Sequence, residues 1–140
     1  MRYLLDTNVL SELTRPRCEP RVLDWLNSVD EDETYVSVMS VAELRQGIEF
    51  LPKGKRRDAL NVWLQDDLLD RYRERLIDVT VDVANMWGAL SAGARAAGGK
   101  MPAVDGIIAA TAHVHSLIVA TRDTRDFEPL GVKLLNPWNP

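Results

Sequence analysis

A single cysteine, Cys18, is all the thiol chemistry this chain carries. It cannot close an internal disulfide, which excludes a disulfide-stapled scaffold and fits a reducing compartment. No catalytic role is read into it. Histidine is nearly as scarce: His113 and His115 lack the flanking pattern of a metal or nucleophile site and read as surface or interface residues. No run of 18 apolar residues occurs, and the start Met1-Arg2-Tyr3-Leu4-Leu5-Asp6 has no apolar stretch of signal-peptide length. Neither a membrane span nor a secretory leader is expected, and the expected location is the cytoplasm. A basic excess is missing as well. The net charge of -4 argues against a general nucleic-acid binder. It leaves room for a nuclease, because clustered site carboxylates are themselves negative and a divalent cation offsets them locally. Repeats and low-complexity tracts are absent.

What is present is enough apolar sequence for one core: 46% of 140 residues are hydrophobic, so residues 1–140 read as one α/β domain. Tyr3-Leu4-Leu5 is an unbroken apolar run of the kind found in a central parallel strand buried on both faces, and it ends in Asp6. Ligands in open α/β sheets sit beyond the carboxyl ends of such strands, where Asp6 stands. The plain alternative is that Asp6 only caps the helix suggested by Val9, Leu10 and Leu13, which Pro16 should stop. Thr7 and Asn8 can bond their own backbone or a neighbouring carboxylate. A second helix follows Pro20, with Val22, Leu26 and Val29 on one face, and Asp30-Glu31-Asp32-Glu33 reads as a solvated loop.

Thr34 to Val38 reads as a second strand, and Ser40-Val41-Ala42-Glu43 opens a helix with capping-box spacing. Glu43 therefore has two readings: it reaches back to the Ser40 backbone as a cap, or it turns toward the strand ends as a second carboxylate beside Asp6. Pro52 to Arg57 reads as a basic loop, either solvated or touching phosphate. An amphipathic helix with Leu60, Trp63, Leu64, Leu68 and Tyr72 follows it. Leu76 to Val79 is a short strand. Val83, Trp87, Leu90, Ala94 and Ala97 mark a long helix ending at Gly98-Gly99. Its small residues fit close packing against a second subunit or its own sheet. A helix from Pro102 carries Asp105 in its first turn, where the macrodipole favours negative charge. Leu117 to Thr121 is another apolar strand, followed by Arg122, Asp123 and Asp126. Val132 to Leu135 is a last short strand.

Each acid has a structural explanation by itself, yet Asp6, Glu43, Asp105 and Asp123 all fall just after a predicted strand or in the first turn of a helix. In a parallel α/β sheet those places share one edge. Two unit charges about 5 Å apart repel by about 3 kcal/mol at an effective dielectric near 20, so four gathered acids call for a cation. An oxygen-only donor set favours Mg2+, with Mn2+ as the alternative. Such a site suits phosphodiester hydrolysis.

Four segments resemble the PIN-domain family, and within it the VapC-like and FitB-like toxin ribonucleases: Leu5 to Glu12, Ser40 to Gly47, Pro102 to Ala112, and Ala120 to Phe127. They occur in family order and span nearly the whole chain. The resemblance implies a Rossmann-like parallel five-stranded sheet in the order 3-2-1-4-5, flanked by helices. It implies Asp6, Glu43, Asp105 and Asp123 as the acids of a Mg2+ site, with Asp6 and Asp105 as direct ligands. Many relatives carry the fourth acid three residues later, at the position of Asp126, and both positions are acidic here. Thr7, Asn8 and Thr121 would orient the acids or a bound water, and Arg45 or Arg122 would contact RNA phosphate. The implied activity is that of a Mg2+-dependent endoribonuclease, the toxin of a type II toxin-antitoxin system. The implied partners are RNA, a cognate antitoxin, a second copy in a homodimer, and promoter DNA bound by the toxin-antitoxin complex. An alternative is a complex that acts mainly as a DNA-binding regulatory module. An aspartyl-phosphate enzyme with Asp6 as nucleophile fits poorly, since Asn8 stands where that chemistry needs a second acid.

Overall fold

Tyr3 and Leu5 point to one face of the central strand and Leu4 to the other, and this alternation builds two cores. The computed structural model describes all of residues 1–140. Five strands, β1 (Tyr3–Leu5), β2 (Thr34–Ser37), β3 (Leu76–Ile77), β4 (Ile118–Ala120) and β5 (Leu134–Leu135), form one sheet in the order β3-β2-β1-β4-β5. Every pairing is parallel. β1 is the middle strand: Tyr3 pairs with Thr34 on one side and with Ile118 on the other. The chain runs outward from β1 through β2 to β3, then returns to β4 on the opposite flank. The switch point therefore opens at the carboxyl end of β1, directly after Leu5. The fold and strand order agree with the sequence reading, though the two edge strands are shorter than expected, with only Leu76–Ile77 and Leu134–Leu135 paired.

Helices cover both faces, which is why β1 and β4 read as continuous apolar runs. One core holds Leu5, Val9, Leu10, Val22, Val36 and Leu64. The other holds Leu4, Ile108, Ala109, Val119 and Phe127. Helix α1 (Thr7–Glu12) starts two residues before the expected Val9, because Asp6 accepts a hydrogen bond from the Thr7 backbone N–H at 2.8 Å. The capping role of Asp6 is thus real and coexists with its position at the sheet edge. Helix α2 (Pro20–Ser28) begins with proline in its first turn and buries Val22 together with Trp25, a residue the expected stripe omitted. Trp25 meets Tyr3 edge-on, with ring centroids 5.0 Å apart. The acidic run is exposed except for half-buried Glu33, and ends in a single 3-10 turn (Glu31–Glu33).

Two sequence expectations are corrected. Helix α3 (Val38–Phe50) is capped by Ser37, whose hydroxyl accepts from the Met39 N–H at 3.1 Å, not by Ser40. β2 ends at Ser37, so the first available hydroxyl takes the cap, and Ser40 is buried one turn into the helix. Glu43 is thereby released from the capping box. The basic stretch is also not a loop throughout: α4 (Lys55–Val62) already includes Lys55, Arg56 and Arg57, all good helix formers. Arg56 donates to the Thr14 carbonyl at 2.9 Å and Arg57 pairs with Glu49, so both serve local structure. A π-turn (Trp63–Leu68) and the short α5 (Leu69–Arg71) follow, and they set Leu64, Leu68 and Tyr72 into the core.

Helix α6 (Val81–Ala96) is capped by Thr80 and ends where Gly98 takes a left-handed φ of 79°. It packs along α7 (Ala103–His115), its own chain's next helix. The approach is close at Gly106: a Cβ there would lie 2.4 Å from Met101 Cε and 2.9 Å from Trp87 Nε1. That close seat fixes the turn of α7 bearing Asp105. The short α8 (Thr124–Phe127) follows β4 and drives Phe127 fully into the second core. No helix is long and apolar enough to cross a membrane.

Candidate active site

The end of β1, the first turn of α7, the second turn of α3 and the turn after β4 deliver Asp6, Asp105, Glu43 and Asp123 to one open cleft of about 400 Å³. One hydrophobic residue, Trp138, lines it. Asp6 lies at its base and is 4% exposed. Its Oδ1 accepts from the Thr7 N–H at 2.8 Å, and its Oδ2 from the Thr121 hydroxyl at 2.8 Å and from Asn8 Nδ2 at 3.3 Å. Asn8 also reaches Thr121 Oγ1 and Asp123 Oδ2, each at 3.2 Å, so one amide ties the β1 edge to the β4 edge. Across the cleft, the Thr7 hydroxyl donates to Glu43 Oε1 at 2.6 Å. This is the bond that turns Glu43 toward the strand ends.

Burial pushes the Asp6 carboxyl up to about 6; hydrogen bonds from Thr121 and Thr7 pull against it, and the charges of Glu43 and Asp123 add to the rise. Asp105 also rises to about 6, first through burial and then through repulsion from Asp6, Asp126, Glu43 and Asp123. Its side chain has no hydrogen-bond partner in the chain and stands in the first turn of α7, where the helix dipole favours its charge. The acids do not close into a ready-made cage of three or more ligating groups. An open oxygen-lined cleft of this kind suits a hard divalent cation that keeps several waters and takes only one or two carboxylates.

Asp126 is separated from this cleft. It lies in α8 and lines a neighbouring groove beside α6, where its charge is still felt by Asp105. Of the two basic residues singled out from sequence, Arg122 lines the cleft and Arg45 does not. Arg45 is engaged instead by Glu49 on its own helix and by Asn61 on α4. The structure adds residues that sequence reading passed over. Glu12 is buried at the cleft, held by Arg15 at 3.3 Å and by the Glu19 N–H at 3.0 Å. An acid at the end of an amphipathic helix carries no sequence signal of burial. Trp138 reaches the cleft from the segment after β5.

Replacing Thr7 with Val keeps the shape and removes the hydroxyl that fixes Glu43. If Glu43 helps to hold a cation here, Thr7→Val is expected to weaken binding of Mn2+, used as a probe, about 10- to 100-fold with an unchanged circular dichroism spectrum. Unchanged Mn2+ affinity would show that Glu43 needs no such support.

The PIN-domain family model matches residues 3–132. The chain belongs to the PIN-domain family. Among its relatives, the Toxin FitB of Neisseria gonorrhoeae is 41% identical over 136 residues, covering 97% of this chain and 98% of that protein. The VapC ribonuclease Y4jK of Sinorhizobium fredii is 39% identical over 137 residues, covering 98% of each. Among solved structures, FitAB bound to an IR36 DNA fragment matches with a TM-score of 0.92 and 38% identity, over 99% of this chain and 96% of that one.

Proposed function

We propose that this PIN-domain chain is the toxin of a type II toxin-antitoxin pair, a Mg2+-dependent endoribonuclease that hydrolyses RNA phosphodiester bonds. The observation that carries the reading is the cleft itself: beside the ion-paired Glu12 it gathers four carboxylates from four separate segments, two of them raised to about 6, chiefly by burial and further by their mutual repulsion. The likeness to a toxin and to a ribonuclease over almost the full chain supports it. Asp6 and Asp105 would hold the ion directly, with Glu43 and Asp123 completing the acid set. The donors are all oxygen, which favours Mg2+ over zinc and leaves Mn2+ as the alternative. When bound, the ion lowers the pKa of the attacking water and offsets charge on the phosphate.

The chain's own residues do the positioning. Thr121 and the Thr7 backbone hold both oxygens of Asp6, Asn8 keeps Asp6 and Asp123 in register, and Thr7 aims Glu43 across the cleft. A cognate antitoxin would neutralise the site by placing a basic side chain where the cation sits. The protein is also proposed to form a homodimer and, with its antitoxin, to bind promoter DNA, in line with the DNA-bound FitAB structure. The same DNA-bound relative favours a second reading, in which the complex acts mainly as a regulatory DNA-binding module.

Cleavage of a mixed cellular RNA pool by antitoxin-free protein separates the two. Cuts are expected with Mg2+ or Mn2+, none with EDTA, and none from folded Asp105→Asn. Folded protein that cuts no RNA with any metal would overturn the ribonuclease reading in favour of the regulatory one.

A further inference from the structure

The charge balance of the cleft turns on one arginine. Two arginines line it, and Arg15 is paired with the buried Glu12 at 3.3 Å. Arg122 has no ion pair, and its guanidinium donates no hydrogen bond within the chain. Glu19 is close enough to feel its charge but is engaged by Arg21 at 2.9 Å. Asp123, its neighbour in the chain, is turned to Asn8 instead. What Arg122 does have is an aromatic support: its guanidinium carbon lies 5.3 Å from the centroid of the Trp138 ring.

Trp138 is itself fixed. It is 8% exposed and packs with the first core. The turn after β5 is tied by the Asn136 side chain, which accepts from the Trp138 N–H at 2.9 Å, and by the Asn139 N–H donating to the Asn136 carbonyl at 2.9 Å. The other end of the pair is equally anchored, because the Arg122 backbone N–H donates to Asn8 Oδ1 at 3.3 Å, within the network that holds Asp6. A cation–π contact uses none of the five guanidinium donors. The arginine is therefore localised beside the acids while its full hydrogen-bonding fork stays free. That fork matches the oxygens of a phosphate.

Building on the ribonuclease reading above, we propose that Trp138 is a positioning residue that presents Arg122 to an RNA phosphate flanking the scissile bond. An RNA strand entering a cleft of four carboxylates meets repulsion at each phosphate. A cation held on the β4 side by an aromatic face, and paired with none of the acids, offsets part of that repulsion. The contact is made to the backbone of the substrate, so it acts on binding and not on the bond-breaking step.

The test is steady-state cleavage of a single-stranded RNA oligonucleotide with Mg2+, with thermal unfolding of each variant alongside. Arg122→Ala should raise KM about tenfold, as loss of a charged hydrogen bond does, with kcat within about twofold. It should also flatten the salt dependence of KM by about 0.7 in log–log slope, the value of one single-strand phosphate contact. Trp138→Leu should raise KM about three- to tenfold, and Trp138→Phe, which keeps an aromatic face, should recover most of that loss. In the Arg122→Ala background, Trp138→Leu should add nothing. If Trp138→Leu does not fold, Trp138→Met takes its place in the same cycle. Multiplying effects in the double variant, or a fall in kcat with KM unchanged, would overturn the positioning role. Wild type that cleaves while Arg122→Ala keeps its KM overturns this proposal alone. Wild type that cuts no RNA overturns it together with the reading beneath it.

Discussion

Asp6→Asn is expected to abolish RNA cleavage and, at the same time, to stabilise the metal-free protein at neutral pH. The first effect follows from removing a charge that would hold the ion. Loss of several kcal/mol of transition-state stabilisation corresponds to about 10³-fold or more in rate. The second follows from linkage. The Asp6 carboxyl titrates at about 6 in the fold against 3.8 for the free group, chiefly because it is buried. Below pH 3.8 it is protonated in both states and costs nothing. Between 3.8 and 6 the folded state binds more protons than the unfolded one, so stability falls as pH rises. Above 6 the whole cost is present, about 3 kcal/mol at 1.4 kcal/mol per pKa unit. Asparagine removes the charge but loses part of the hydrogen bonding from Thr121 and Asn8, which takes back about 1 kcal/mol per bond. A net gain of about 1–2 kcal/mol at pH 7 in EDTA, turning into a loss of about 1–2 kcal/mol below pH 4 where only the lost bonds count, is the expected denaturant-melt result. Mg2+ should stabilise the wild type by mass action and the variant much less. A variant that is less stable at pH 7 than at pH 4, relative to wild type, would contradict the burial argument.

Phe127→Ala is expected to cost about 3–5 kcal/mol, the range for deleting a large side chain from a core that cannot collapse around the gap. Phe127 is fully buried among Leu4, Ile108, Val119 and Leu130. It ends the short α8 that carries the chain away from Asp123, so the loss falls beneath the β4 side of the cleft. The folding midpoint in urea should drop sharply without a change in slope. At temperatures where the variant is still folded, cleavage should fall through lost placement of Asp123 and Arg122. A cost under about 1 kcal/mol would mean that α8 repacks freely and contributes little to holding the site.

These two expectations also mark what could be read before any fold was known. The apolar run Tyr3-Leu4-Leu5 ending at Asp6 places a buried parallel strand and its carboxylate by itself, because burial on both faces leaves no polar position in the strand. Asp105 and Asp123 follow from the same logic at the first turn of a helix and the end of β4. Glu43 could not be assigned this way. Its spacing to Ser40 matches a capping box, and only the actual end of β2 at Ser37 passes the cap to an earlier hydroxyl and leaves Glu43 free for Thr7. Arg45 and Arg122 were indistinguishable as basic residues near motifs. Contacts distant in sequence send one to Asn61 and the other over Trp138.

Order along the chain was thus enough to determine the α/β class and the gathering of acids at one sheet edge, because short-range patterning dictates which residues are buried and where strands end, and the resemblance of four motif segments pointed to the family. Tertiary structure alone decided that Glu43 turns to Thr7 and not to a cap, that Asp126 lines the neighbouring groove, that Glu12 is buried, and that Trp138 comes back to support Arg122. Those outcomes depend on side-chain direction and on how separate elements pack, just as Asp6 meets Thr121 only because β1 and β4 pair, and no local pattern encodes either.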